Sequence, residues 1–444
     1  MKRVLTIAGS DSGGGAGIQG DLKAITLLGG FGMSVLTALT AQNTMGVQAI
    51  HEVPPRFVEI QIESVLSDIG ADAIKTGMLV NQEVIEVVSR KIREYRVKKV
   101  VVDPVMVSKS GASLLQRDAQ EALIKNLIPL AWVVTPNIPE ASVLTGFKIN
   151  SIEGMKKAAR RIYELGAKHV VVKGGHLKGK ATDVLYDGGN YEEIRGPRLE
   201  TKNTHGTGCT LASAIATLLA RGDAVYEAVR KAKTFITMAI ESGLSLGEGT
   251  GPTNPSAYVL RETERYRVIQ ELKRAFEVLK EHKTGHLIPE VSSNLGYALP
   301  QAEGIGDVAA FPARIARFRD SVATLSDPEF GASQHVANII LAVMKFDPEY
   351  RSAMNIRYSK ENVALIKRKG ALIGRFDRRL EPRKIKGREG SSLEWGVGEV
   401  LRKMKQVPDF IYDEGDMGKE PMIRVLGKNP EEVVKKILEA VGRR

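Results

Sequence analysis

Two glycine-rich segments hold the residues best placed for chemistry. Gly9-Ser10-Asp11-Ser12-Gly13-Gly14-Gly15-Ala16-Gly17 follows an apolar run and precedes a helical stretch. So many glycines let backbone amides approach a ligand closely, and a helix start favours negative or polar groups. The segment is neither a dinucleotide fingerprint nor a Walker A loop. Ile18 falls where the third glycine would stand, and no Lys-Ser/Thr pair follows. A tight strand-to-helix turn is the plainer alternative, but it needs only one or two glycines. The second segment is Thr204-His205-Gly206-Thr207-Gly208-Cys209-Thr210, followed by the helical stripe Leu211, Ile215, Leu218 and Leu219. Amides at such a helix start form an anion hole, and a thiol there is expected to have a lowered pKa. Cys209 reads equally well as a small buried hydrophobe.

Polar groups also recur at the ends of apolar runs. Asp103 closes Val100-Val101-Val102, Asn137 and Glu140 follow Trp132-Val133-Val134-Thr135, and Lys173 follows Val170-Val171-Val172. Carboxylates at the carboxyl ends of parallel strands face the crevice where ligands bind, and magnesium on nucleotide phosphates wants one or two such oxygens plus water. Taken singly, each is an ordinary strand-end residue. Together they argue for one site that holds phosphate groups.

The second half offers sparser candidates. Phe330-Gly331-Ala332-Ser333-Gln334-His335 opens a helix, with Ser333 expected as N-cap and His335 in the first turn beside unbonded amides. Arg314, Arg317 and Arg357 are potential phosphate forks. Asp413, Glu414, Asp416 and Lys419 surround Gly415 and Gly418, either as a charged turn or as a magnesium site on a pyrophosphate. From Lys367 to Arg388, ten of 22 residues are basic, which reads as a solvated face or a subunit contact before a ligand role.

The elements that must carry these residues follow from the pattern. Short β-branched runs alternate with helical stretches such as Glu83 to Glu94 and Ser151 to Leu165, which predicts a mostly parallel sheet with helices on both faces. A cluster of Gly and Pro between Gly247 and Tyr258 marks a domain end. An amphipathic helix from about Glu264 to His282 opens a smaller second domain, expected to be α+β. The expected domains are therefore residues 1–258 and 264–444. The 444 residues carry a net charge of +12, spread over both halves, which suits small phosphorylated ligands better than nucleic acid. The single cysteine excludes an internal disulfide and a cysteine metal site. No apolar run approaches the ~20 residues of a membrane helix, and Met1-Lys2-Arg3 precedes too few apolar residues for a signal peptide. A cytoplasmic protein, without a membrane or nucleic-acid partner, is expected.

Residues 1 to about 258 resemble the hydroxymethylpyrimidine and hydroxymethylpyrimidine-phosphate kinases of the ribokinase-like superfamily. The resemblance is carried by Ala8 to Gln19, Leu39 to Thr44, Lys75-Thr76-Gly77-Met78-Leu79, Val102 to Met106 and Lys202 to Cys209. It implies ATP- and Mg²⁺-dependent phosphorylation of 4-amino-5-hydroxymethyl-2-methylpyrimidine, twice, to its diphosphate. It also implies that Gln42 hydrogen-bonds the pyrimidine edge, with Gly9, Asp21, Met78 and Val105 lining the pocket. Asp103 and Glu140 would serve magnesium, while Asn137, Lys173, Gly206 and Gly208 would face the nucleotide. Cys209 stands where most ribokinase-like enzymes place an aspartate base, which implies a helix-start thiolate as the base there, or else an anion-hole donor. Asp11 and Gln19 lie near the pocket without an assigned role.

Residues 264–444 resemble the ThiN-type thiamine-phosphate synthase domain. The matching stretches are Ile288-Pro289-Glu290-Val291 to Tyr297, Asp307 to Ile315, Phe330 to Ala337, Asn355-Ile356-Arg357-Tyr358 and Gly415 to Pro421. The resemblance implies coupling of the pyrimidine diphosphate with thiazole phosphate, with release of pyrophosphate. Arg314 and His335 occupy the positions used for catalysis. Related domains lacking that pair serve as ligand sensors, so the pair favours an enzyme. The whole chain reads as a bifunctional enzyme of thiamine biosynthesis, expected to be a homo-oligomer. Its rival is a pyridoxine or pyridoxal kinase joined to a thiamine-phosphate-sensing domain.

Overall fold

A computed structural model of the chain describes all residues except 107–115, 178, 180, 301, 383–390 and 443–444, and the side chains of 391–393. It divides into two compact units, Met1–Leu260 and Arg261–Arg444.

The first unit is built on a nine-stranded sheet. Its strands are β1 (Lys2–Asp11), β2 (Gly30–Asn43), β3 (Gly46–Glu52), β4 (Ala73–Thr76), β5 (Val100–Val102), β6 (Val133–Val134), β7 (Val170–Val172), β8 (Ala181–Tyr186) and β9 (Tyr191–Gly196). The order is β3-β2-β1-β4-β5-β6-β7-β8-β9. β2 to β7 run parallel through β1, β4, β5 and β6, while β3 at one end and β8 and β9 at the other pair antiparallel.

Alternation along each strand sends residues to two separate cores. Leu5, Val100 and Val102 bury against helices α2 (Pro55–Asp68), α3 (Gln82–Glu94), α4 (Arg117–Ala122), α5 (Ile138–Thr145) and α6 (Ile152–Glu164). Val4, Val101 and Val133 bury on the opposite face against α1 (Gly17–Leu27), α7 (Thr207–Arg221) and α8 (Val225–Glu241). Burial on both faces explains why these strands read as continuous valine runs. It also brings the carboxyl ends of β1, β4, β5, β6 and β7 to one rim.

The second unit opens with α9 (Ala257–Glu281), a helix already begun at the end of the first unit. Its seven-stranded sheet comprises β10 (Leu295–Ala298), β11 (Val308–Ala310), β14 (Glu329–Phe330), β15 (Ser352–Arg357), β16 (Ile373–Arg375), β17 (Phe410–Asp413) and β18 (Met422–Gly427). The order is β14-β11-β10-β15-β18-β17-β16, and every pair is antiparallel except β16 with β17. A hairpin of β12 (Ala316–Phe318) and β13 (Ser321–Ala323) stands outside it. One face packs on α9, α11 (Lys360–Arg368) and α13 (Pro430–Val441), the other on α10 (Gln334–Met344) and α12 (Ser391–Met404). The unit is α+β, as expected. Among the described residues no helix is long and apolar enough to cross a membrane. Of the basic stretch Lys367 to Arg388, residues 383–388 lie outside the described residues.

Candidate functional site

A cavity of about 860 Å³ opens at the carboxyl rim of the first sheet. Gly9, Gln42, Met78, Val105, Asn137, Glu140, Lys173, Gly206, Gly208 and Cys209 all line it. The strand ends that looked unrelated in sequence therefore meet around one space.

The first glycine loop folds around its own aspartate. The Gly13 amide donates to Asp11 Oδ1 at 2.8 Å, and the Gly15 and Ala16 amides donate to Oδ2 at 3.1 and 2.7 Å. These amides were expected to approach a ligand, but three of them are taken by the Asp11 carboxylate. Burial would raise that carboxyl, yet the His205 bond and the loop amides outweigh it and hold it below the usual range. Gln19 braces the same turn, accepting from the Asp11 amide at 2.9 Å and donating to Ser10 Oγ at 2.7 Å.

His205 joins the two glycine loops. Its Nε2 lies 2.8 Å from Asp11 Oδ2 and 3.3 Å from the Gln42 side-chain amide. The loops also touch backbone to backbone. Gly206 sits at φ +84°, and a Cβ there would lie 1.8 Å from the Gly15 carbonyl oxygen, so only glycine fits. Gly206 is the N-cap of α7, which places Thr207, Gly208 and Cys209 in the first turn.

Asp21 departs from expectation. It does not line the cavity; it is fully buried beneath it. Lys75 Nζ donates to both its oxygens at 2.9 and 2.8 Å, and Thr6 Oγ1 and Ser213 Oγ donate at 2.6 and 2.7 Å. Four hydrogen bonds from these three groups saturate the carboxylate, leaving none of its capacity for a ligand. Lys75 borders the floor of the cavity in its place, its side chain fully buried.

Cys209 departs as well. Burial pushes its thiol up to about 11, although Lys75 pulls the other way. The helix-start amides do not overcome the loss of water, and the resting group is a thiol. The Lys75 ammonium has its charge matched by Asp21, which weakens its hold on the sulfur.

Asp103, Lys173 and Glu140 form the ionic end of the site. Lys173 Nζ donates to Asp103 Oδ1 at 2.8 Å and lies 4.0 Å from Glu140 Oε2. Asp103 lies just behind the lining, where a Cβ on Gly208 would come within 3.4 Å of its Oδ2. Asn137 caps α5. Its Oδ1 accepts from the Glu140 amide at 2.9 Å, and Glu140 Oε2 accepts from the Asn137 amide at 2.8 Å. Burial pushes the Glu140 carboxyl up to about 7, against the pull of Lys173 and with the aid of Asp103. Asp103 and, once a cation displaces its proton, Glu140 offer hard oxygen donors around one ammonium, which fits Mg²⁺. Among the described residues no three His, Cys, Asp or Glu gather as a metal cage, so an ion here would complete its shell with water and phosphate.

Sequence reasoning gave no role to Lys75 or His205, nor to the far wall, where Lys233 Nζ donates to Asp183 Oδ2 at 2.8 Å beside Ile236 and Ile240. Lys75 carries a legible signal, since a lysine inside the apolar run Ala73-Ile74-Lys75-Thr76 demands a buried partner.

In the second unit the stretches 288–291, 307–315, 355–358 and 415–421 come together. Arg314, at the left-handed φ of +58°, donates from Nη1 to the Val291 carbonyl at 2.8 Å. The Glu290 and Val291 amides donate to Glu420 at 3.0 and 3.1 Å, and Asn355 Nδ2 donates to the Ser292 carbonyl at 3.1 Å. Arg314 is exposed. His335 is exposed in the first turn of α10, and among the described residues no hydrogen bond or ion pair ties it to this group. Ser333 holds the N-cap position, but its hydroxyl makes no capping bond. Asp413 is no candidate for magnesium, because it is fully buried between Arg378 Nε at 2.6 Å and Arg424 Nη1 at 2.7 Å.

The sheet order, the two glycine loops and the rim cavity define a ribokinase-like kinase unit, and comparison with known proteins narrows it. Residues 11–254, more than half of the chain, match the phosphomethylpyrimidine kinase family, and the chain belongs to that family. Residues 271–439 match the family described as thiamine-phosphate synthase ThiN. The chain is 58% identical over 252 residues to the thiamine biosynthesis bifunctional protein ThiED of Geobacter sulfurreducens, covering 56% of this chain and only 51% of that protein. It is 48% identical over 258 residues to the hydroxymethylpyrimidine/phosphomethylpyrimidine kinase of Bacillus subtilis, covering 58% of this chain and 95% of that one. Among solved structures, an ADP complex of Bacillus subtilis pyridoxal kinase is 42% identical with a TM-score of 0.56, covering 59% of this chain and 99% of that one.

Proposed function

We propose that the first unit phosphorylates 4-amino-5-hydroxymethyl-2-methylpyrimidine and then its monophosphate with ATP. The second unit couples the resulting diphosphate with thiazole phosphate, giving thiamine phosphate and pyrophosphate. The observation that carries this reading is the cavity itself, which links an amide able to read a ring edge, Gln42, to an anion-holding helix start and a buried lysine.

Gln42 both donates and accepts, as an aminopyrimidine edge requires, and Gly9, Met78 and Val105 shape the slot around it. Lys173 and the amides at Gly208 and Cys209 face the transferred phosphoryl group, where a pre-organised positive cradle lowers the barrier. Asp103 and Glu140 would hold Mg²⁺, which supplies charge neutralisation on the phosphates. A loose phosphoryl-transfer transition state asks little of a base. Cys209 therefore enters as a thiol, and its S–H contributes to the cradle. The Ile236 and Ile240 wall suits the apolar face of a nucleotide base.

In the second unit Arg314 is proposed to stabilise the departing pyrophosphate, with His335 supporting it or positioning the thiazole phosphate.

The test supplies the whole chain with the pyrimidine alcohol, ATP, Mg²⁺ and thiazole phosphate. Thiamine phosphate should form, and omission of thiazole phosphate should leave the pyrimidine diphosphate. No phosphorylation of the pyrimidine would defeat the reading. The likeness to the Bacillus pyridoxal kinase favours one second reading, a kinase acting on pyridoxal. ATP turnover compared on the two alcohols decides between them.

A further inference from the structure

Gln42 is held by its main chain. Its amide donates to Ser12 Oγ at 2.8 Å, and Ser12 Oγ donates back to the Gln42 carbonyl at 2.8 Å. The register of β2 against β3 shifts between Ala41 and Gln42, a bulge that re-aims the side chain toward the cavity. What remains to be set is which end of the side-chain amide faces which neighbour. Carboxamide orientation is an assignment that must follow from the hydrogen-bond network.

As placed, Gln42 Nε2 lies 3.3 Å from His205 Nε2, and Gln42 Oε1 lies 3.3 Å from Thr40 Oγ1. Both contacts conflict with their surroundings. His205 Nε2 is 2.8 Å from Asp11 Oδ2, and the three loop amides on Asp11 keep that group an ionised acceptor. His205 Nε2 must therefore carry a proton and donate, so the NH₂ of Gln42 cannot be its partner. Thr40 Oγ1 gives its single proton to the Ser10 carbonyl at 2.8 Å, so it can only accept from Gln42. Rotating the carboxamide by half a turn removes both conflicts: Oε1 then shares the one Nε2–H of His205 with Asp11 as the weaker arm of a three-centre bond, and Nε2 donates to Thr40.

We propose that Asp11, His205 and Thr40 are positioning residues that fix Gln42 with its oxygen toward His205 and its NH₂ toward Thr40. This inference rests on the reading of Gln42 as the group that faces the pyrimidine edge. It deepens that reading by fixing the order of partners a ring must present. The second N–H of Gln42 and the second lone pair of its oxygen are left to the ligand. The ring must therefore offer an acceptor on the Thr40 side and an adjacent donor on the His205 side. An aminopyrimidine meets this with a ring nitrogen beside its exocyclic amine. A ring without that adjacent pair leaves one of these two half-buried groups unmatched.

Two measurements on the full-length chain test it. The first is long-range ¹H–¹⁵N correlation of the histidine side chains near neutral pH, with His205 assigned from the spectrum of His205→Gln. A proton on Nε2 is expected; an imidazole protonated on Nδ1 alone overturns the proposal. The second is a kinetic cycle. Thr40→Val should raise the KM for the pyrimidine about tenfold with kcat and the KM for ATP unchanged. Thr40→Ser should stay within about twofold, since it keeps the hydroxyl. In a Gln42→Ala background Thr40→Val should have no further effect on KM, and an equal effect there overturns the proposal. If Gln42→Ala alone leaves the pyrimidine KM unchanged, the ring-reading role of Gln42 falls. The tautomer measurement still judges the orientation in that case.

Discussion

At the scale of single residues, burial decides against position. Cys209 sits in the first turn of α7, where sequence rules lower a thiol's pKa, yet its surroundings push it up to about 11. At pH 8 this leaves about 0.1% thiolate, against roughly a quarter for an ordinary cysteine, so alkylation by iodoacetamide should be more than ~100-fold slower than for free cysteine. Cys209→Ala should then lower kcat by less than the ~10²–10⁴ typical of a lost general base. A larger loss would restore the base role. Lys75 and Asp21 make the same point about buried charge. Removing one partner leaves the other uncompensated in a dry interior, so Lys75→Met should destabilise the first unit by about 3–5 kcal/mol. Urea unfolding measures this, and a change under ~1 kcal/mol would mean that water reaches the pair. Only the need for a partner to Lys75 was legible in the chain; which residues meet was not, because Asp21 meets Lys75 and Ser213 across 54 and 192 positions.

Among elements, the parallel sheet of the first unit was readable, while the second unit was readable as α+β and in its helices but not in its strand order, for a physical reason. Val100-Val101-Val102 and Val170-Val171-Val172 are buried on both faces, which leaves an unbroken apolar signature. The strands of the second unit pair mostly antiparallel and in the order β14-β11-β10-β15-β18-β17-β16, which no local pattern encodes. The glycine loops lie between these cases. Their glycine content was visible, but their mutual contact was not, and it gives the loops their shape. Gly206→Ala tests that contact. A Cβ there meets the Gly15 carbonyl and takes up a left-handed φ, so the start of α7 must withdraw from the first loop. Kinase turnover should fall at least ~100-fold, consistent with the cost of misplacing reacting groups by about 1 Å. Near-normal turnover in Gly206→Ala would show that the two loops tolerate separation.

For the molecule as a whole, the division at Leu260 and Arg261 separates two sets of chemistry-bearing residues. Every residue lining the cavity belongs to the first unit, while Arg314, His335 and the loops bound to Val291 and Glu420 belong to the second. Arg314→Ala or His335→Ala should therefore abolish formation of thiamine phosphate and leave both phosphorylations intact, so that the pyrimidine diphosphate accumulates. The reason lies in where charge develops. In the proposed coupling, attack by the thiazole nitrogen on the pyrimidine methylene expels pyrophosphate, and the growing anion needs a fixed cation more than the bound substrate does. Loss of that cation should not disturb phosphoryl transfer in the other unit, whose proposed cradle is Lys173 and the start of α7. Phosphorus NMR on each variant, supplied with all substrates, reads both outcomes at once. Wild-type rates of thiamine phosphate formation in either variant would remove that residue from the synthase site. Loss of kinase activity along with it would mean that the two units do not work as independent sites.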